Sequence, residues 1–235
     1  GTTGDKATLF TANAELLASS YLEYSTVHPE PTWAEQNPND WWNAFAAATK
    51  SLLSKSKISS EDILGLSFSG QMLGCLPVDG KGVPLRPSII WMDQRSVKQA
   101  EHIRNKVGEE QYYKTTGNRI SPTYTISKIL WLKENQPAIY ERTYKFLQAK
   151  DYMIHRLTGK FVTDFSDASL AGMLNVNQRE WAYDLLQELE IPIEKLPDLF
   201  PSIHVVGQIK REVANEIGLS SDTPVVIGGG DGPCA

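Results

Sequence analysis

Thr223-Pro224-Val225-Val226-Ile227-Gly228-Gly229-Gly230-Asp231-Gly232 is the stretch whose reading decides the fold. A proline opens a β-branched apolar run of the kind that fills a strand buried on both faces, and the run breaks at once into glycines around one aspartate. This is the pattern of a strand that delivers a carboxylate to a tight turn. Glycines there accept positive φ at little cost and let backbone N–H groups and a ligand come close, because no Cβ intervenes. A lone Asp in that frame is placed to take a proton from a hydroxyl or to hold a metal. The same residues also describe a plain glycine turn with Asp as its hydrogen-bonding corner, and the stretch by itself leaves both readings open.

At the other end the chain opens Gly1-Thr2-Thr3-Gly4-Asp5-Lys6 and runs into Ala7-Thr8-Leu9-Phe10-Thr11-Ala12. Small hydroxylated residues, a glycine and a lysine ahead of a strand can form a turn that offers N–H groups, hydroxyls and one cation to phosphate oxygens. The spacing is not that of a P-loop, and no helix opens here. Pro233 follows the glycines at the far end, where a dinucleotide fingerprint needs a helix. Phosphate on a β-turn, with Thr2, Thr3, Gly4 and Lys6 as its contacts, is the better expectation.

Together the two ends resemble the FGGY family of carbohydrate kinases. The blocks between them carry the same resemblance in the same order: Trp33-Ala34-Glu35-Gln36-Asn37-Pro38 with Asp40-Trp41-Trp42, Ser69-Gly70-Gln71-Met72, Ile90-Trp91-Met92-Asp93-Gln94-Arg95-Ser96, Lys150-Asp151-Tyr152, and Thr163-Asp164-Phe165-Ser166-Asp167-Ala168-Ser169. They look most like the amino-terminal domain of the xylulokinase branch. The resemblance implies an α/β domain of the ribonuclease H-like, actin-like ATPase type, with a mixed sheet and flanking helices, spanning 1–235 as the sugar-binding half of the kinase. It also implies a strand ahead of Gly1 ending in a magnesium-holding aspartate, and a second domain beyond Asp231 with the adenine site. ATP and Mg2+ are the implied cofactors, and a sugar or polyol is the implied acceptor. Asp231 is implied as general base, with Met72, Leu73, Trp91, Thr123 and Gly232 beside it at the substrate. Leu73 stands where these kinases usually carry histidine, Thr123 where arginine or tyrosine is common, and Gly232 where asparagine usually follows the aspartate. Those departures loosen the expectation of xylulose itself, because hydrogen-bonding sites discriminate strongly against groups they cannot pair. An actin-like nucleotide-binding module without sugar kinase activity is the alternative.

Composition sets the bounds. The chain has 235 residues, is 41% hydrophobic and 22% charged, and has a net charge of -5, which provides a real core and no positive footprint for nucleic acid. No apolar run reaches the length of a membrane helix. Cys75 and Cys234 read as two buried thiols of a reducing cytoplasm. A homodimer stays open.

Hydrophobic spacing predicts a hairpin from Ala7 to Ala12 and Leu17 to Ser25, then a proline-punctuated loop. A helix capped by Asn39 or Asp40 should follow, running to about Ser54. Ile63 to Phe68 reads as a buried strand feeding the Ser69 to Gly74 loop, where backbone meets a ligand or a β-bulge forms. Asp93 reads equally as a helix cap or a substrate contact. Helices are expected at Val97 to Val107, Glu109 to Tyr113, Thr125 to Lys133, from Lys150 to Thr158, Trp181 to Leu189 and Glu212 to Ile217, with Ile191 to Pro201 as loop. The resemblance implies a structural role for Lys128, whereas Asp164 and Asp167 read as caps ahead of a metal pair, and the four histidines as surface or satisfied core residues.

Overall fold

The computed structural model describes residues 1–235. The chain opens on a hairpin in which β1 (Gly4–Phe10) pairs antiparallel with β2 (Leu16–Glu23). Pairing starts three residues earlier than apolar spacing suggests, with Gly4 opposite Glu23 and Asp5 opposite Leu22. Gly4 and Lys6 are therefore strand residues, and the turn proper is Gly1 to Thr3. A Cβ at Gly4 would stand 2.5 Å from the Leu22 carbonyl oxygen and 2.8 Å from the Tyr21 ring, so the strand can begin there only with glycine.

Helix α1 (Pro38–Ser56) begins one step before the expected caps. The Asn37 side chain accepts the N–H of Asn39, and Pro38, which has no N–H to lose, takes the first helical position. Lys57 ends it in a left-handed conformation. Trp41, Trp42, Phe45, Ala48, Thr49 and Leu52 make its buried face, so Trp41 and Trp42 are packing residues.

The core divides in two, and a small antiparallel sheet is the wall between the halves. Leu76–Val78 pairs with Lys145–Leu147, Cys75 bridges Ile89, and Ser88–Ile89 pairs with Glu35–Gln36. Strand alternation then sends neighbours to opposite sides. Cys75, Ile89 and Phe146 pack with the helices Val97–Val107 and Thr125–Asn135, whereas Leu76, Ile90 and Leu147 pack with α1, Ala149–Thr158 and Arg211–Ile217.

The carboxyl-terminal stretch forms as read. Pro224–Val226 lies antiparallel to Val205–Gln208, Val225 bridges Leu66 in parallel, and Gly229–Gly230 runs parallel to Ser69–Gly70. Parallel and antiparallel pairing thus mix, as the fold class requires. The segment Ile63 to Phe68 is not the buried strand expected. It pairs only toward Val225, Leu64 is 79% exposed, and regular pairing waits for Ser69.

Smaller corrections follow the same logic. The helix expected from Trp181 is Tyr183–Glu188, and Glu180–Trp181 is a strand against Leu174–Asn175. Within the expected loop, Asp198–Phe200 pairs parallel with Val162–Asp164. Cys75 is buried as expected, but Cys234 is exposed beyond the last strand.

Candidate active site

Asp231 is exposed, and the strand pair beneath it fixes its backbone. Its N–H donates to the Gly70 carbonyl at 2.8 Å, directly after the parallel pairing of Gly229–Gly230 with Ser69–Gly70. The glycines are required here for stated reasons. Gly228 has φ +75°, and a Cβ on it would meet the Phe68 carbonyl oxygen at 1.9 Å; a Cβ on Gly230 would meet the Met72 sulfur at 2.3 Å. Met72, buried against Gly230, therefore forms the floor under Asp231 and Gly232.

The opposite end of the chain reaches the same place through one amide side chain. Gln36 Nε2 donates to the Thr2 carbonyl at 2.6 Å and to Thr26 Oγ1 at 2.9 Å, while Gln36 Oε1 accepts from Gln71 Nε2 at 2.7 Å and Trp41 Nε1 at 2.9 Å. Gln71 sits between Gly70 and Met72, so a buried chain of hydrogen bonds links the Thr2 turn to the loop at Asp231. Trp91 closes the ring from above. Its indole N–H donates to Thr2 Oγ1 at 2.9 Å and its ring is 42% exposed. Thr3 Oγ1 pairs with the Tyr21 hydroxyl, and Lys6 is exposed on β1.

Beside β1 lies a cavity of about 710 Å³, with Gly1, Thr3, Gly4 and Lys6 on one wall, Leu66 to Ser69 with Gly228 and Gly229 on the other, and Phe45, Leu52 and Leu53 among its apolar floor. Both walls are strand edges paired on their far sides only.

Leu73 and Thr123 are both half-buried, and the Thr123 hydroxyl pairs with Ser121 Oγ at 2.8 Å. Leu73 has φ +64°, a left-handed conformation unfavourable for a branched side chain. Lys128 lies beneath, fully buried, its Nζ donating to the carbonyls of Leu73 at 2.6 Å, Thr123 at 2.7 Å and Ile90 at 2.8 Å.

Asp93 is neither a cap nor a substrate contact. It is fully buried, accepts the Ala34 N–H at 2.6 Å, and forms an ion pair with Arg95, whose guanidinium lies 3.7 Å over the Trp33 ring and also pairs with Glu35. Arg86 pairs with the same Glu35. Asp164 does cap the helix Phe165–Leu170, as expected, but it also belongs to a buried cluster. Lys150 Nζ is 3.0 Å from Asp151 and 3.2 Å from both Asp164 and Asp167. Burial, reinforced by Asp151 and Asp164, pushes Asp167 up to about 8 despite Lys150; burial also opposes the charge on Asp164, yet Lys150 and the Ser166 and Ser202 hydroxyls hold it below the usual range. Ser166 Oγ donates to Asp164 at 2.6 Å and accepts the Gly230 N–H at 2.9 Å, so this cluster reaches the residue before Asp231.

A family model described as the FGGY family of carbohydrate kinases, N-terminal domain, matches residues 1–235. The chain belongs to that family. Among this FGGY chain's relatives, the xylulose kinase of Staphylococcus xylosus is 32% identical over 234 residues, covering 100% of the chain and 48% of the relative. The gluconokinase of Bacillus subtilis is 31% identical over 232 residues, covering 99% of the chain and 45% of the relative. A crystal structure titled gluconate kinase from Lactobacillus acidophilus superposes with a TM-score of 0.93 at 31% identity, over 99% of the chain and 47% of that protein. The FGGY chain therefore spans about half the length of the relatives it matches, and its fold is the actin-like one of the sugar kinases.

Of the residues the sequence singled out, the structure joins Trp91 to Thr2 by a hydrogen bond, sets Met72 against Gly230 and Gly232 on either side of Asp231, and ties Leu73 to Thr123 through Lys128. Sequence reasoning missed Gln36 as the link between the ends, Lys128 as a tie among loops and Lys150 as the centre of an acidic cluster. Gln36 and Lys150 lie within quoted family blocks, but a side chain that joins distant segments has no local periodicity to betray it.

Proposed function

We propose that this chain is the sugar-binding half of an ATP-dependent carbohydrate kinase acting on D-xylulose or a related pentulose or polyol. The observation that carries the reading is the exposed Asp231, whose backbone N–H donates to the Gly70 carbonyl beside Gln71, with Gln71 joined through Gln36 to the Thr2 turn. Asp231 takes the proton of a sugar hydroxyl as that oxygen forms its bond to the γ-phosphorus, and the bond from that phosphorus to the bridging oxygen breaks to release ADP. Phosphoryl transfer depends mainly on positioning and charge stabilisation, so one carboxylate on an anchored backbone together with a donor-bearing turn is a sufficient set for this side of a cleft. Trp91 offers a half-open ring as an apolar surface for the carbon face of the sugar. The hydroxyls of Thr2 and Thr3 suit the phosphates, and magnesium carried by ATP would supply charge neutralisation when bound, held on the family's pattern by the aspartate placed ahead of Gly1. The apolar cavity between the two strand edges has the shape of a slot for extended backbone, and it supports the seating there of the strand the family places ahead of Gly1.

The test is a coupled assay of the full-length protein with xylulose, ribulose, gluconate, glycerol and erythritol. Asp231→Ala should lower kcat by about 10²- to 10⁴-fold. Retention of full activity would exclude Asp231 as the base. Gluconate is the second acceptor to try, because the gluconokinase relative matches the chain almost as well as the xylulose kinases do. Thermal stabilisation by ATP with none by any sugar would instead favour the nucleotide-binding module.

A further inference from the structure

We propose that Lys128 is the positioning residue of the sugar site, its ammonium clamping the backbone carbonyls of Leu73, Thr123 and Ile90 so that Leu73, Thr123 and Trp91 present one surface. This rests on the reading of those three residues as the sugar-facing wall. Leu73, Ile90 and Thr123 lie on segments distant in sequence, and one nitrogen touches all of them at 2.6 to 2.8 Å. An ammonium has three N–H donors, and all are used.

The chemistry is unusual for a packing residue. Lys128 is fully buried and forms no ion pair. The charged neighbours facing it are Asp93 and Arg95, which neutralise each other, and the Cys75 thiol, which burial pushes up to about 12 and so keeps neutral. A buried cation without a counter-ion is costly, and an apolar side chain would fill the same space more cheaply. What only the ammonium provides is a common donor for three loops. One of them is strained: Leu73 has φ +64°, and such backbone persists only where surrounding contacts over-determine it. The clamp on the Leu73 carbonyl is such a contact.

Burial pushes Lys128 down to about 7, while three carbonyl acceptors favour the charged form. A neutral amine has only two N–H donors, so its lone pair would face the third carbonyl. Loss of the proton at alkaline pH therefore releases one of the three loops and weakens the sugar site without touching Asp231.

The experiment measures D-xylulose affinity by calorimetry and steady-state kinetics in the full-length protein from pH 6 to 9. Lys128→Met should raise KM about 10- to 100-fold, the range for buried acceptors left unpaired, with kcat at saturating sugar nearly unchanged. The wild-type KM should rise at alkaline pH, and that rise should be absent in the variant. If Lys128→Met does not fold, Lys128→Ala is measured with added methylammonium, which should restore affinity in a concentration-dependent way. An unchanged KM overturns the proposal. So does a parallel loss of kcat, affinity and Tm that methylammonium does not recover. A wild type that binds none of the sugars or polyols defeats the pocket reading itself and this inference with it.

Discussion

Lys150→Met tests the buried cluster behind the site. In the wild type one ammonium serves three carboxylates, at 3.0 Å from Asp151 and 3.2 Å from Asp164 and Asp167, all within the protein interior. Removing one member of a buried ion pair typically costs about 3–5 kcal/mol, because the partner is left charged and dry. For a chain of this size 1 kcal/mol moves Tm by about 2–4 °C, so the variant should melt on the order of 10 °C lower. The pH dependence gives a sharper criterion. Burial raises Asp167 to about 8, above its ordinary value near 3.8, so between those values the folded state holds a proton that the unfolded state has lost. Stability from this group therefore falls as pH rises through that window and levels off above about pH 8. With Lys150 gone the carboxyls lose the charge that held them down, and the fall with pH should steepen. The assay is urea unfolding at pH 5.5, 7 and 8.5 for both proteins. A loss under about 1 kcal/mol at pH 7, or a loss that does not shrink on acidification, would refute the account. Because Ser166 joins Asp164 to the Gly230 N–H, the folded variant should also show a lower kcat.

Gly228→Ala should be among the most damaging single substitutions, since it combines φ +75° with a Cβ 1.9 Å from the Phe68 carbonyl oxygen; a soluble protein with wild-type Tm would contradict that geometry. Trp91→Phe keeps an apolar face but loses the bond to Thr2 Oγ1, and sugar KM should rise about 2- to 10-fold by the usual worth of one hydrogen bond, with no change meaning that the indole N–H does not support the site. A thiol reagent should label Cys234 rapidly in the native protein and reach Cys75 only after denaturation, so two fast thiols would place Cys75 wrongly.

The parts of the fold written in local chemistry were legible. Glycines that cannot carry a side chain and the β-branched run Val225-Val226-Ile227 each report a backbone state near their own position. The failures share a cause, which is that the deciding partner is remote. Ile63 to Phe68 has the composition of an interior strand, but its exposure depends on being paired on one side only. Asp93 resembles a cap because it precedes a helix, whereas its carboxylate is spoken for by Ala34 and Arg95. Candidate site residues were found through resemblance to a family; the partners of their supports, Gln36, Lys128 and Lys150, were not, because a long polar side chain gives no sign in sequence of where its tip ends.

The sheet that separates the two cores makes parity a property of this protein. Because Cys75, Ile89 and Phe146 face one interior and Leu76, Ile90 and Leu147 the other, deleting a single residue within Cys75 to Val78 or within Ser88 to Ile90 would turn one strand over and exchange the contents of both halves at once. The tip from Asp79 to Gly82 can absorb insertions that leave the flanking pairs in step. The flanks themselves cannot, and evolutionary length change along this hairpin should be confined to its tip.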